Sequence, residues 1–237
     1  RMQAIFFLQP LIFTFTLFYF SFVHAEIEFQ IKGVSGAPET NIEIYLSSLD
    51  VPRHADDEEY LSEIKKSALS ALTVFGYYQP EIIVEVNGDE TSAIVELDIK
   101  IGPLTYITES NIKLQGEGKD APYFLKQIDS FLIGVNDPLK HANYESAKSS
   151  LKILARRYGY FDAKFEKSRV DVSSLNNSAS VHLWFNTGPR YQFGELIFPS
   201  ELPAGKYVKS LLNFKVGDPF DTRVLSNFNA DLNATGY

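Results

Sequence analysis

Three stretches of the chain place apolar residues at helical spacing, and each stretch runs into a Gly-Tyr pair. In the clearest one, the apolar residues step by three and four through Ile64, Ala68 and Leu72. This spacing predicts a helix with one buried stripe. The pairs are Gly76-Tyr77, Gly159-Tyr160 and Gly236-Tyr237, recurring at intervals of about 80 residues. Since a glycine just past a last helical turn can adopt the left-handed cap conformation, we expect these pairs to end helices.

Two further markers recur at nearly the same interval. A Gly-Pro pair closes an alternating segment at Gly102-Pro103 and again at Gly188-Pro189. An Asp-Pro pair precedes a long helix at Asp137-Pro138 and again at Asp218-Pro219. Three independent markers with one period predict an internally repeated unit.

The order of elements within one unit follows from the pattern of the first period. We expect a strand over residues 26–34, a short helix over 39–49, and a long helix beginning near the acidic run 56–59. Acids are favoured at a helix start by its dipole. Two strands joined by a turn around Asn87-Gly88 complete the unit. The second strand is apolar on one face alone, which requires one layer of helices. The predicted fold is α+β, built from β-α-α-β-β units with three-stranded mixed sheets covered on one face by two helices.

The second period predicts the same order. We expect strands over 106–114, 163–172 and 179–187, and helices over 122–132 and 143–158. The apolar parity changes within the strand over 163–172, which predicts a bulge. The third period predicts a strand over 191–198, a short helix over 206–212 and a long helix. The predicted domains are therefore unit 1 (26–102), unit 2 (103–189) and unit 3 (190–237), the last expected to lack its final two strands.

The amino terminus and the charge indicate where the protein works. Residues 4–23 are almost wholly apolar and lead to Val23-His24-Ala25, so we expect residues 1–25 to be a cleaved signal peptide. A retained membrane anchor is the alternative, because the segment is just long enough to span a bilayer. The net charge of −8 argues against binding nucleic acid. The chain contains no cysteine. An exported protein without disulfides fits a bacterial periplasm.

Catalytic and metal-binding patterns are weak. The sequence has no cysteine nucleophile, no Gly-x-Ser-x-Gly motif and no phosphate loop. The histidines His24, His54, His141 and His182 lack metal-ligand spacing. The contiguous acids of residues 56–59 lack the alternating geometry of a calcium loop, and a helix start is favoured over a metal site. We expect no enzyme activity, no metal and no cofactor, and an unrecognised periplasmic hydrolase is kept as a minor alternative.

Several motifs resemble those of a known family. They are Gly76-Tyr77-Tyr78-Gln79-Pro80, Arg156-Arg157-Tyr158-Gly159-Tyr160-Phe161-Asp162, Thr187-Gly188-Pro189-Arg190-Tyr191 and Phe214-Lys215-Val216-Gly217-Asp218-Pro219-Phe220. In their order and spacing they resemble tandem POTRA domains of the BamA/TamA family of outer-membrane assembly proteins. The resemblance implies a periplasmic location, a C-terminal β-barrel in the outer membrane, and assistance to the insertion of β-barrel proteins and autotransporters. It also implies two kinds of partner, a TamB-like inner-membrane-anchored protein and unfolded outer-membrane clients.

The open edges of such sheets are the candidate binding surfaces, since unpaired backbone groups can accept an extended chain by β-augmentation. In units of this kind the exposed edge is the strand that follows the long helix. The predicted protein-binding residues are Ile82, Ile83, Val84, Glu85 and Val86 in unit 1 and Phe165, Val170 and Val172 in unit 2. Neighbouring units or loops that cover these edges are the alternative. A passive spacer between envelope layers is the alternative function.

The only tryptophan of the chain, Trp184, is predicted on the helix-free face of its sheet. It shares its parity with His182, opposite to Val181, Leu183 and Phe185. Aromatic residues are enriched at protein contacts, so Trp184 is a candidate exposed contact. Packing at the junction with the next unit is the alternative, and it is favoured.

Overall fold

The computed structural model describes residues 26–50, 52, 54–88, 92–197 and 205–234. The predicted signal peptide and the third Gly-Tyr pair lie outside these residues. Within them, no helix combines the length and the apolar character needed to cross a membrane.

The first unit has the predicted β-α-α-β-β order. Its elements are β1 (Glu26–Lys32), α1 (Ala37–Ser47), α2 (Glu58–Thr73), β2 (Glu81–Gly88) and β3 (Ser92–Lys100). The sheet order is β1-β3-β2, with β1 parallel and β2 antiparallel to the central β3. The alternation of β3 places its apolar residues beneath the helices, where Val95, Leu97 and Ile99 are buried with Ile64 and Leu72 of α2. A mixed sheet with one helical layer confirms the predicted fold class.

Two local predictions for this unit are sharpened by the structure. The acidic run does begin the long helix, and the Asp57 carboxylate accepts hydrogen bonds from the backbone N–H groups of Glu59 (2.8 Å) and Tyr60 (3.4 Å). The predicted turn at Asn87-Gly88 is wrong in position. Both residues lie inside β2, opposite Ile94 and Ala93, because the ladder continues to the end of the strand. The connection between β2 and β3 falls at residues 89–91, outside the described part.

The second unit repeats the first. Its elements are β4 (Tyr106–Gln115), α3 (Pro122–Asp129), α4 (His141–Arg157), β5 (Lys164–Ser173) and β6 (Ser178–Asn186), with a short 3-10 helix over Ser174–Asn176. The sheet order β4-β6-β5 matches that of the first unit. The predicted bulge is confirmed, since the pairing of β5 with β6 shifts register between Phe165 and Lys167. The core contains Leu151 of α4 and Phe124 of α3 against Leu183 and Phe185 of β6.

The described residues after the second unit include two helices, α5 (Gly205–Ser210) and α6 (Thr222–Ala234). The strand predicted over residues 191–198 is not formed in its described part, 191–197, where a single bridge joins Gln192 to Pro219. In the first two units the opening strand pairs in parallel with the closing strand of its own hairpin. No strand of the described chain offers that partner to residues 191–197, so no ladder forms.

The Gly-Tyr pairs end the long helices as predicted and also join consecutive repeats. Gly76 has φ of 98° and Gly159 of 81°, and the amides of the following tyrosines bond back to the Leu72 and Ala155 carbonyls. This is the Schellman arrangement. The Gly76 carbonyl then accepts from the Thr105 amide (2.9 Å). The Gly159 carbonyl accepts in the same way from the Tyr191 amide (2.8 Å).

Candidate functional site: the open sheet edges

Strand β2 is an open edge of the first sheet. Among the described strands it pairs with β3 alone, in a continuous register from Glu81 opposite Lys100 to Gly88 opposite Ala93. The unbroken ladder runs over eight residues, and the backbone groups of every second residue point outward in one regular row. Such a row is the template that β-augmentation requires.

The side chains of β2 divide between the two faces of the sheet. The apolar residues Ile82, Val84 and Val86 are half-buried and pack against the core under the helices. On the opposite face Glu81 and Glu85 are exposed, and Ile83 leaves 51% of its surface open. An apolar side chain exposed on an edge strand is a ready contact for an incoming strand.

A groove lies beside this edge, between β2 and the exposed flank of α2. It has a volume of about 270 Å³ and is lined by Ser62, Lys65, Lys66, Leu69, Pro80 and Ile82. Successive side chains of a strand point to opposite faces, so every second residue of a strand added to β2 would lie over this groove. The groove therefore supplies a surface for side chains next to the backbone template. The sequence analysis missed it because it needs α2 and β2 side by side.

The charges at the start of β2 are paired but exposed. Lys100 Nζ donates to Glu81 Oε2 (2.9 Å), and this bond is the main cause that raises the pKa of Lys100 above its ordinary value. Exposed pairs of this kind contribute little stability. A charged residue on an incoming strand could therefore displace the pair at small cost.

Strand β5 is the corresponding edge of the second unit, and it is less regular. It pairs with β6 alone among the described strands, and Phe165, Val170 and Val172 are half-buried against the core. The bulge between Phe165 and Lys167 interrupts the ladder near the start of the strand. Bulges on edge strands hinder pairing with another chain. The edge at β2 is therefore the better template of the two.

The opposite edge of the second sheet, β4, is partly covered. The Ile107 amide donates to the Asp137 carbonyl (2.9 Å), and the Ile107 carbonyl accepts from the Asn136 amide (2.8 Å). Leu139 adds a bond from its amide to the Thr105 carbonyl (2.9 Å). The Asp-Pro marker thus lies in a segment that occupies the start of the β4 edge, at Tyr106 and Ile107. The recurring marker in the sequence was the signal for this cover, which the sequence analysis did not interpret.

Trp184 lies on the helix-free face, as its parity predicts. Its indole N–H donates to Asn111 Oδ1 (3.3 Å), and the Lys113 and Lys167 ammonium groups lie 4.4 Å and 5.0 Å from its ring centroids. These contacts come from neighbouring strands of the same sheet, where both lysines face Trp184 in the register. These contacts of Trp184 lie within the second sheet, and packing at the junction with the next unit stays a prediction. The ring is half-buried between two cations.

The described residues offer little for catalysis. No carboxylate or histidine among them is buried, and the buried polar residues there are Thr105 and Thr187. No group of three or more possible metal ligands converges in this part of the chain. In the acidic run, the Asp57 carboxylate is engaged in capping α2.

Comparison with known proteins adds a family for the first unit. Residues 28–103 match a family model described as POTRA domain TamA domain 1. Among solved structures, POTRA3-5 of Haemophilus influenzae BamA is 15% identical, with 90% of this chain and 86% of that one covered and a TM-score of 0.45. POTRA1-3 of the periplasmic domain of Omp85 from Anabaena is 14% identical, with 90% and 84% covered and a TM-score of 0.35. The N-terminal domain of Omp85 from Thermosynechococcus elongatus is 11% identical, with 90% and 86% covered and a TM-score of 0.36. The first unit is thus similar to a POTRA domain, and the second has the same order and sheet topology.

Proposed function

We propose that this chain is the periplasmic portion of an outer-membrane assembly factor of the TamA type, which receives unfolded β-barrel and autotransporter clients. The match of residues 28–103 to a TamA POTRA model supports this assignment. The repetition of the same topology in the second unit supports a tandem array of such units. A TamB-like inner-membrane-anchored protein is the proposed partner in the periplasm.

The open and regular edge of β2 is the observation that carries the proposal. A client strand added there gains backbone hydrogen bonds from its own amides and carbonyls, whatever its side chains are. Sequence-blind pairing suits a factor that serves many clients. The groove between α2 and β2 then contributes contacts that depend on the side chains of the client. We propose β2 as the primary site and the bulged β5 as a weaker one.

A passive spacer is the second candidate, and the junction between the first two units favours it. The junction is held by the Thr105 amide on the Gly76 carbonyl and by the His141 amide on the Val74 carbonyl (3.0 Å). The Tyr78 hydroxyl and His141 Nε2 are 2.7 Å apart. These two backbone bonds join the end of α2 to the linker before β4 and to the start of α4. Two points of attachment restrict rotation between the units, which a spacer requires.

Paired proline substitutions in β2 distinguish the two functions. Neighbouring amides along a strand point to opposite sides. One of the two variants Ile83→Pro and Val84→Pro therefore removes a hydrogen bond to β3, and the other removes an amide of the open edge. Urea unfolding identifies the edge variant as the more stable one. The probe is a fluorescent peptide that alternates valine and threonine, and we expect the edge variant to bind it at least about tenfold more weakly than the wild type.

Hydrogen exchange on the wild-type protein gives a second, independent measurement. We expect the peptide to slow exchange of the outward amides of β2 and to leave that of Ile107, at the covered start of β4, unchanged. A stable edge variant that binds the peptide as well as the wild type does, or β2 amides unaffected by the peptide, contradicts client binding at β2 and favours the spacer.

A further inference from the structure

Three arginines converge on a groove between α4 and α6, away from the sheet edges. The groove has a volume of about 450 Å³ and is lined by Ile153, Arg156 and Arg157 of α4 and by Thr222 and Arg223 of α6. Two polar residues of α6, Ser226 and Asn227, complete it. We call this surface the arginine groove. It joins the last turns of the long helix of one repeat to the first turns of the next long helix.

The walls of the groove are held together by specific contacts. The Thr222 hydroxyl donates to the Arg156 and Arg157 carbonyls (3.4 Å and 3.3 Å), which ties the start of α6 to the end of α4. The Arg223 guanidinium pairs with the Asp221 carboxylate (2.7 Å and 3.2 Å) and lies over the Tyr158 ring. This pairing is the main cause that lowers the pKa of Asp221. Arg223 is therefore oriented and largely neutralised.

Arg156 and Arg157 add positive charge to the groove, which Asp221 offsets only in part through its attraction to Arg157. Within the described part of the chain neither forms an ion pair with a carboxylate, and no carboxylate lines the groove. The chain as a whole carries a net charge of −8, so a cationic groove on it is a local exception. Next to these charges Ile153 leaves 61% of its surface exposed. The surface thus combines an apolar contact with a neighbouring site for an anion.

We propose that the arginine groove binds a polypeptide segment that carries a carboxylate beside an apolar side chain. The carboxylate pairs with Arg156 and Arg157, for which a planar guanidinium is the matching donor. The apolar side chain covers Ile153. This surface is distinct from the sheet edges, so its occupant binds independently of a strand added to β2.

Other anions fit this groove less well. The amide of Arg223, at the start of α6, already donates to the Asp221 carboxylate (2.8 Å), so this backbone donor is not open to a free phosphate. The net charge of −8 on the chain as a whole disfavours adsorption to an anionic lipid surface. A peptide segment meets neither obstacle, because it approaches with a local charge and adds an apolar contact.

The test uses a fluorescent alanine-based helical peptide with leucine and glutamate on one face, and the same peptide with glutamine in place of glutamate. We expect the glutamate peptide to bind the wild-type protein with an affinity that falls as salt rises. The double variant R156Q/R157Q is expected to bind it about fivefold more weakly, as the loss of two exposed ion pairs implies. The matched control K119Q/K126Q removes the same charge from exposed lysines elsewhere and is expected to bind as the wild type does.

Four outcomes overturn the proposal. In the first, the glutamine peptide binds as tightly as the glutamate peptide, which would show that the carboxylate is not recognised. In the second, both double variants lose the same affinity, which would reduce the effect to net charge. Vesicles of phosphatidylglycerol bind through Arg156 and Arg157 while the peptide does not, which would assign the groove to lipid. Sedimentation shows an oligomer that the R156Q/R157Q variant abolishes, which would assign it to a second copy of this chain. Each result leaves the β2 edge untouched, since the valine-threonine probe reports on that site separately.

Discussion

Two glycines determine how one repeat follows another. Gly76 and Gly159 both have positive φ, and a side chain at either position would meet the next unit. A Cβ atom on Gly76 would lie 2.4 Å from the Leu139 carbonyl oxygen, and one on Gly159 would lie 2.7 Å from Phe220 Cβ. The close approach of the two backbones is therefore possible only without a side chain. The same residue ends the helix and admits the neighbouring unit.

The variant Gly76→Ala tests this double role. We expect it to lower the free energy of unfolding by about 3 kcal/mol, because it adds a backbone clash to the cost of a left-handed alanine. Gly217→Ala is the matched control, since Gly217 has φ of 88° but its nearest contact is 4.0 Å away. That control is expected to lose about 1 kcal/mol in urea unfolding. Equal losses in the two variants would show that the contact with Leu139 costs nothing.

Among the elements, the long helices owe their ends to particular side chains and their positions to the sheet. In α2 the predicted residues Ile64, Ala68 and Leu72 are buried, and Tyr60, which the predicted stripe did not include, is buried with them. Its start is set by Asp57, whose carboxylate satisfies two amides that no helical carbonyl can reach. The two edge strands also differ for a local reason. The ladder of β2 with β3 is continuous, whereas a bulge interrupts the ladder of β5 with β6.

Substituting the two neighbouring aspartates separates capping from the helix dipole. Asp57→Ala is expected to lower the free energy of unfolding by about 1 kcal/mol, the usual cost of a lost N-cap. Asp56→Ala removes the same charge one residue earlier and is expected to change it by less than about 0.5 kcal/mol. Urea unfolding of both variants measures the difference. If the two losses are equal, the charge of the run and not the Asp57 hydrogen bonds supports α2.

At the scale of the whole molecule, both junctions between repeats share a backbone hydrogen bond to the carbonyl of the Gly-Tyr glycine. The connection after the second unit adds Arg190, whose Nε donates to the Tyr158 carbonyl (3.0 Å). Its guanidinium also lies near the Tyr158 and Tyr160 rings (6.0 Å and 5.9 Å) and reaches the Phe220 carbonyl (3.5 Å). One side chain thus contacts the end of α4, the Gly-Tyr pair and the segment that leads into α6.

Removing Arg190 is expected to loosen this junction. Arg190→Ala loses a charged hydrogen bond to a carbonyl, worth about 2 kcal/mol, together with its ring contacts. We expect a broader distribution of distances between spin labels placed on α3 and α6, measured by double electron-electron resonance. Arg169→Ala is the control, because Arg169 pairs with Asp171 of its own strand (2.7 Å) and reaches no other unit. An unchanged distribution in Arg190→Ala would mean that the backbone bonds alone hold the junction.

Local rules account for what could be predicted from the residues. The spacing of three and four, the alternation of β3, the acidic helix start and the change of parity in β5 each act within a few residues, and each is found in the structure. The open edge at β2 was instead implied by the family resemblance, and the sheet order places that strand outermost. The period of the markers predicted a repeat that the two matching sheets confirm.

Features that join distant residues were settled by packing in three dimensions. The segment around Asp137 covers the start of the β4 edge, Trp184 lies between two lysines of neighbouring strands, and Arg156 and Arg157 meet Arg223 from another helix. The strand expected over residues 191–198 belongs to the same class, because a strand exists only with a partner for its ladder. Hydrophobic periodicity reports which face of an element is buried. Which other element meets that face, and which edge stays free, depends on how the units fold against one another.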